Sequence, residues 1–491
     1  MTQSLHERNR AALARALRRI LPSEAVLTEK EDLRPFECDG LSAYRALPLI
    51  AVLPETVEQV QAILELCQVN EVPVVARGAG TGLSGGALPH REGVLLSLAR
   101  FNRILEIDAA NRTATVQPGV TNLAVSEAAA VHGLFYAPDP SSQIACTLGG
   151  NVAENSGGVH CLKYGLTVHN VLGIEMLTME GERLRLGGQA LDGPGYDLLA
   201  VMHGSEGLLG IVTEVTLRLL PRPPTIQVLL AAFDSIPAAG EAVARIIGAG
   251  IVPAGLELMD NPSLRAAEDY VHAGYPTEAA AILLCELDGC EAEVAAQTER
   301  VRALLQAAGA SEVRVARDDE ERARFWAGRK AAFPAVGRLA PDYYCMDGTI
   351  PRKRLAEVLE RIAALSEEYG LPVANVFHAG DGNLHPLILY DANRPGELRK
   401  AEEFGGRILE ICVEVGGTIT GEHGVGREKI DQMCVQFDAD ELRYFHALKK
   451  AFDPDGLLNP GKAIPTLHRC AEFGAMHVHH GRLPHPELER F

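Results

Sequence analysis

Five glycines fall within ten residues at Arg77-Gly-Ala-Gly-Thr-Gly-Leu-Ser-Gly-Gly86. Backbone this poor in side chains does not form the interior of a helix or a strand, so it reads as a loop with its N–H groups left free. The apolar run Val72–Ala76 before it and Val94–Leu98 after it read as strands. By its letters, Gly80-x-Gly82-x-x-Gly85 matches the Rossmann fingerprint. A Rossmann turn, however, must open a helix whose N-terminus faces a pyrophosphate. Here Ala87-Leu-Pro89-His-Arg-Glu-Gly93 follows and leaves no room for that helix. The doubly wound dinucleotide fold is therefore excluded. What remains is a nest of backbone N–H groups with the Thr81 and Ser84 hydroxyls, which suits a pyrophosphate without a helix dipole.

Two further small-residue clusters repeat the theme. One is Pro138-Asp-Pro-Ser-Ser142 with Thr147–Gly158; the other is Gly204–Gly210, which leads into Ile211-Val-Thr-Glu. Three such loops in one unit point to a long cofactor lying across it. Pro48 to about Arg222 alternates short strands (Leu49–Leu53) with helical stretches (Thr56–Asn70), and Pro221-Arg222-Pro223-Pro224 breaks the pattern. Beyond it, strand–helix–strand occurs twice: Ile226–Phe233, Ala238–Ala249, Gly255–Met259, then Ala280–Leu287, Glu291–Ala308, Val313–Ala316. That order suits a ferredoxin-like α+β layer. The expected organisation is a helical lead (1–47, with Leu13, Leu17 and Leu21 on one face of a surface helix), a cofactor domain (48–224), a second domain (225–466) and a His-rich tail (467–491).

Composition removes several functional classes. A chain of 491 residues is too long for one core. A net charge of −19 argues against nucleic acid. No apolar run approaches the ~20 residues of a membrane helix, and the N-terminus lacks a signal-peptide core, so a cytoplasmic location is expected. The cysteines are scattered, several within apolar runs (Cys67, Cys285, Cys412), and no C-x-x-C occurs. Reduced core thiols are expected rather than a disulfide framework or an iron–sulfur centre.

The second half carries its own chemistry in His378-Ala-Gly-Asp-Gly-Asn-Leu-His385, followed later by Glu422-His423. Val373–His378 and Leu384–Tyr390 read as strands, with turn residues Gly380–Asn383 between them. A four-residue loop would set His378 opposite His385, on one side of the sheet. Gly396–Val415 reads as an amphipathic helix ended by Gly416-Gly417. Thr418–His423 then reads as a short strand that points Glu422 and His423 to opposite sides. Two imidazoles and a carboxylate form a usual donor set for a divalent metal: zinc as a non-redox Lewis acid, with iron and manganese also compatible. A further His suits proton transfer. On residues alone, a metal-dependent hydrolase with His423 activating water remains open, and so does a cofactor-binding subunit without turnover.

From about Pro48 to Pro465 the chain resembles the FAD-linked 2-hydroxy-acid oxidoreductases, in particular the D-subunit (FAD-binding) family of bacterial glycolate oxidase, with D-lactate and D-2-hydroxyglutarate dehydrogenases as relatives. The resemblance rests on the Gly78–Gly86, Pro138–Gly158 and Gly204–Glu214 stretches and on the second-half motifs. It implies an α+β fold: a vanillyl-alcohol-oxidase-type FAD domain, also called the p-cresol-methylhydroxylase (PCMH) type, and a ferredoxin-like substrate domain. Arg77, Gly78, Gly80, Thr81, Gly82, Ser84, Gly85 and Gly86 would hold the FAD pyrophosphate. Pro138, Asp139, Ser142, Gly149, Gly150, Asn155, Gly157 and Gly158 would line the flavin, and Gly207, Gly210, Ile211 and Val212 would meet the adenine side. Asn459 is also assigned to the cofactor. No His lies in the glycine loop, so the FAD is expected to be noncovalent. The metal ligands would be His378, His385 and Glu422, the base His423, and the substrate-carboxylate partner Arg329. Relatives that act on 2-hydroxyglutarate carry a Lys at about Cys345, so a smaller substrate is implied: glycolate, with D-lactate second. The resemblance also implies a second flavin-type subunit and an iron–sulfur subunit, with peripheral membrane association through that complex.

Overall fold

The computed structural model describes residues 5–190, 193 and 195–466. The His-rich tail lies outside them. In the first half, Val26–Leu27, Ile50–Val52, Val94–Ser97 and Val74–Arg77 form a four-stranded sheet in that spatial order. The last three run parallel, which requires crossovers. The first crossover is the Val57–Val69 helix, started by a Thr56–Gln59 capping box. A second, five-stranded antiparallel sheet follows, with Ile211–Arg218 at its centre. Along that strand buried and half-buried residues alternate strictly, because only one side of each residue pair faces the core.

Two expectations change here. The N-terminal helix, Leu5–Leu17, is not a surface appendage: Leu13 and Leu17, with Leu21 just beyond, are buried in the core of the first sheet. Nor is the first half closed by its own residues. Leu457 and Leu458 return to that core, and the Asn459 N–H donates to Val74 O at 2.8 Å. The proline-rich boundary also carries a short pairing, Leu220–Pro221 with Leu134–Phe135, where an edge position tolerates the missing N–H.

The second half is built on a nine-stranded sheet. Thr225–Phe233 pairs along its full length with Ala281–Gly289, which pairs in turn with Gly255–Asp260. Successive side chains alternate between two layers. Leu229, Ala231 and Phe233 pack with helices Ile236–Gly248, Glu291–Ala307 and Leu355–Tyr369. Val228, Leu230 and Ala232 pack with helices Asn261–Val271 and Asp319–Val336. The strand–helix–strand expectation omits these last two helices. Each starts at an aspartate cap: Asp260 accepts from Ser263 N, and Asp318 from Glu321 N. Among the described residues, eight cysteines are free thiols, including buried Cys67, Cys285 and Cys412, and Cys434 is disulfide-bonded.

Candidate functional site

One cavity runs from the glycine loop of the first half to the imidazoles of the second. Its lining includes Arg77, Gly78, Gly80, Thr81, Gly82 and Gly86, then Ser142, Gly149 and Gly150, then Gly207, Gly210, Ile211 and Val212. The three small-residue clusters, spread from Arg77 to Val212, thus face one space. Among the described residues, no backbone N–H from Gly78 to Gly86 donates to a backbone acceptor. The glycines are required by close approach. A Cβ on Gly78 would sit 2.2 Å from Thr147 Oγ1. Gly80, at φ +72°, has the Arg77 guanidinium folded beneath it. Arg77 is itself buried and bound to Cys38 O at 2.7 Å.

The remaining cofactor candidates lie behind this surface. Ser84 O accepts from Arg427 N and Glu428 N, and Gly85 packs against Arg427. Pro138 O accepts from Asn122 Nδ2. The Asp139 carboxylate is turned away from the cavity to His160, 2.7 Å from Nδ1, and His160 Nε2 meets Glu286 of the second half at 2.9 Å. Asn155 ends the Leu148–Glu154 helix at φ +54°, so part of the expected second loop is helical. A Cβ on Gly158 would meet Asp139 O at 2.4 Å, and one on Gly157 would meet Glu422 Oε2 at 2.6 Å. Gly157 is therefore where the first half makes room for a second-half carboxylate. Asn459 Nδ2 donates to Gly86 O and Glu206 O and so supports two lining loops.

At the far end, Glu422 Oε1 lies 3.2 Å from His378 Nε2 and 3.0 Å from His385 Nε2. The hairpin register differs from expectation. His378 pairs with Asn383, not His385, and the strand continues as Asn375 opposite Pro386. The shift is two residues, and side chains repeat every two, so both histidines keep the same face. Their ring centroids are 5.2 Å apart. Thr418–His423 is a second correction: apart from one bridge between Thr418 and Thr349, it is not a strand. The chain bends around the fully buried Asp347 carboxylate, which accepts from Thr420 Oγ1 and from the backbone N–H groups of Gly421, Glu422 and His423. Glu422 and His423 consequently do not face opposite sides. Both converge on His385, whose ring stacks on His423 at 5.0 Å with planes 6° apart.

The electrostatics follow from this packing. Burial raises the Glu422 carboxyl, but hydrogen bonds from His378 and His385 more than offset it and hold the group well below the usual carboxylate range. Burial pushes His423 down to about 4 despite the opposing Asp347 charge, so the ring is neutral near pH 7. Its buried Nδ1 has no hydrogen-bond partner among the described residues. His378 Nδ1 is fixed by Glu257 Oε1 at 2.8 Å, which presents Nε2 to Glu422. Glu257 also holds Arg329, with Nε 2.8 Å from Oε2. Arg329 Nη2 is 2.7 Å from that oxygen but not aligned with it, and it remains without a hydrogen-bond acceptor. Arg329 is almost wholly buried and does not line the cavity. It stands one carboxylate behind the imidazoles.

Sequence reasoning did not single out Glu257, Asp347, Glu206 or Glu154. The available signal was a carboxylate inside an apolar strand (Gly255-Leu-Glu-Leu-Met) and beside small residues (Met346-Asp-Gly, Ala153-Glu-Asn, Ser205-Glu-Gly). The cavity fits a long cofactor with an anionic centre: its loop N–H groups lack backbone acceptors, and Thr147 Oγ1 is buried unpartnered beside the glycine loop. The donor trio also fits a divalent ion. Its three ligand atoms lie within 4.8 Å of one another, and donors ~2 Å from one metal stand ~3–4 Å apart.

Residues 48–187 match the family model "FAD binding domain", and residues 222–463 match "FAD linked oxidases, C-terminal domain". The glycolate oxidase subunit GlcD of Escherichia coli (strain K12) is 67% identical over 488 residues, covering 99% of this chain and 98% of that protein. A D-lactate dehydrogenase of Anaerostipes hadrus is 34% identical over 90% of this chain and 95% of its own length. Among solved structures, substrate-bound p-cresol methylhydroxylase superposes with a TM-score of 0.80 at 18% identity, covering 95% of this chain and 98% of that one; the two share the α+β fold. With both domain types present and near-full-length identity of this degree, the chain belongs to the FAD-linked oxidase family that contains the glycolate oxidase GlcD subunits.

Proposed function

We propose that this chain oxidises glycolate to glyoxylate, with noncovalent FAD, as the catalytic subunit of a multi-subunit dehydrogenase. The observation that carries the reading is the joining of two chemistries in one cavity. A glycine-loop cradle for FAD opens onto a neutral, buried His423 beside the His378–His385–Glu422 trio. Bound FAD supplies the two-electron acceptor for the α-carbon hydride. A divalent ion held by His378, His385 and Glu422, zinc or else iron or manganese, supplies Lewis acidity to the substrate hydroxyl.

The chain's own residues do the rest. His423 takes the hydroxyl proton at a ring nitrogen, which its depressed basicity and missing Nδ1 partner leave available. Glu257 sets the tautomer of His378. In this reading Arg329 acts from behind the imidazoles, its charge keeping Glu257 ionised, and does not reach the substrate carboxylate expected as its partner. Cys345 lies beside His385 and His423 and brings no cation for a second carboxylate, which favours a monocarboxylate. D-lactate is the second reading, favoured by the D-lactate dehydrogenase relative. Electrons then leave to an iron–sulfur subunit and a second flavin-type subunit, and the complex associates peripherally with the membrane. No helix among the described residues is long and apolar enough to cross one.

The test is anaerobic mixing of the purified chain with glycolate, D-lactate, L-lactate and D-2-hydroxyglutarate, with metal analysis of the same sample. Glycolate should bleach the flavin fastest. A yellow, metal-loaded protein that none of the four bleaches would overturn the catalytic reading.

A further inference from the structure

The segment that carries Glu422 and His423 hangs between two buried carboxylates, one from each half of the chain. From the substrate half, Asp347 accepts the N–H groups of Gly421, Glu422 and His423 at 3.0, 3.2 and 2.9 Å. From the cofactor half, Glu206 accepts those of Val425 and Gly426, both at 2.7 Å. Of the six consecutive residues Gly421 to Gly426, all but Gly424 are thus held through their main chain by two side chains. Glu206 sits in a cavity-lining loop, is itself buried, and has φ +50°, a left-handed conformation that non-glycine residues adopt only when their surroundings impose it. Its own N–H is tied to Ala153 O, and its carbonyl to Asn459 Nδ2. The glycine loop adds Ser84 O, which accepts from Arg427 N and Glu428 N. Gly424, at φ +81°, permits the turn between the two carboxylates: a Cβ there would sit 2.2 Å from Glu154 Oε2.

We propose that Glu206 and Asp347 are positioning residues for the oxidation, together setting where His423 and Glu422 stand between the cofactor cradle and the imidazole pair. Neither needs to touch substrate. Asp347 alone would fix the pair relative to His378 and His385. Glu206 is what makes the same segment a fixture of the cofactor half, so the distance from base to flavin does not depend on how the two domains settle. The assignment rests on the proposed oxidation for its kinetic consequence, but the hold on the backbone does not.

The test uses Glu206→Gln in the FAD-loaded full chain, with Asp347→Asn as a second variant. A glutamine matches the carboxylate in shape but offers one accepting oxygen in place of two, so one of the Val425 and Gly426 N–H groups faces an NH2 donor. Hydrogen exchange of the 420–428 peptide should accelerate in each variant, while FAD content and visible spectrum stay at wild-type levels. Flavin reduction by glycolate should slow by about 10²-fold, the usual effect of an ångström-scale misplacement. Binding of oxalate, a non-reducing dianionic probe read by its perturbation of the flavin spectrum, should change far less than the rate. The proposal is overturned if exchange in 420–428 is unchanged, or if the rate falls only in proportion to lost FAD. If the wild-type flavin is not reduced by any 2-hydroxy acid, the proposed oxidation fails; the exchange readout still decides whether the two carboxylates hold the segment.

Discussion

Glu257→Gln should be the most costly single-atom change near the site. Glu257 is 1% exposed and lies between Arg329 at 2% and His378 at 3%. Burial alone would raise its carboxyl, but the His378 and Arg329 charges outweigh this and keep it ionised. Replacing one oxygen by NH2 leaves the Arg329 guanidinium buried without a counter-charge, and removing one partner of a buried pair typically costs about 3–5 kcal/mol. The same change weakens the acceptor that orients His378, and loss of such a partner usually lowers metal affinity about 10- to 100-fold. The assays are urea unfolding of the FAD-loaded protein and competition for zinc against a chromophoric chelator. A double variant with Arg329→Met separates the two effects: it should recover much of the lost stability, because no unpaired charge remains, but not the metal affinity. A stability change under ~1 kcal/mol in Glu257→Gln, typical of solvated ion pairs, would refute the claim that the pair is desolvated. Unchanged zinc affinity would refute the coupling to His378.

Three other outcomes are expected. Replacing Gly78 with Ala puts a methyl 2.2 Å from Thr147 Oγ1, so the variant should fold but purify with much less FAD, read from the ratio of flavin to protein absorbance. His423→Ala should retain FAD and metal yet leave the flavin oxidised on anaerobic mixing with glycolate; near-normal bleaching would remove it as the base. For His160, burial alone would lower the ring, but Asp139 and Glu286 hold it well above its ordinary 6.5. Its contribution to stability is therefore complete below about 6.5 and lost as pH rises through the raised folded value. The urea midpoint of wild type relative to His160→Asn should narrow across the alkaline range, and a constant difference would show that the ring is not charged in the folded state.

Much of the architecture is local in origin and could be read without coordinates. Five glycines after an apolar strand exclude a helix at Gly78–Gly86, and the clusters at Ser142–Gly150 and Gly207–Val212 share their chemistry. The two hairpin histidines meet although the register lies two residues from the one their spacing predicts, because a slip of two leaves every side chain on its face. The errors are equally physical. Thr418–His423 looks extended by composition, but Asp347, more than 70 residues away, bends it. Asp139 looks like a cofactor-lining residue, but His160 claims its carboxylate.

Alternation, capping and glycine content act over a few neighbouring residues, so the periodic elements, the cofactor loop and the residue types of the site are legible along the chain. The partners that give those residues their charge and aim come only with the closed fold: Glu257 with Arg329 and His378, Asp347 with His423, and Glu206 with Val425. These pairs span 72 to 219 positions of chain. A buried carboxylate must find donors wherever the closed fold brings them, and no local pattern encodes which ones those will be.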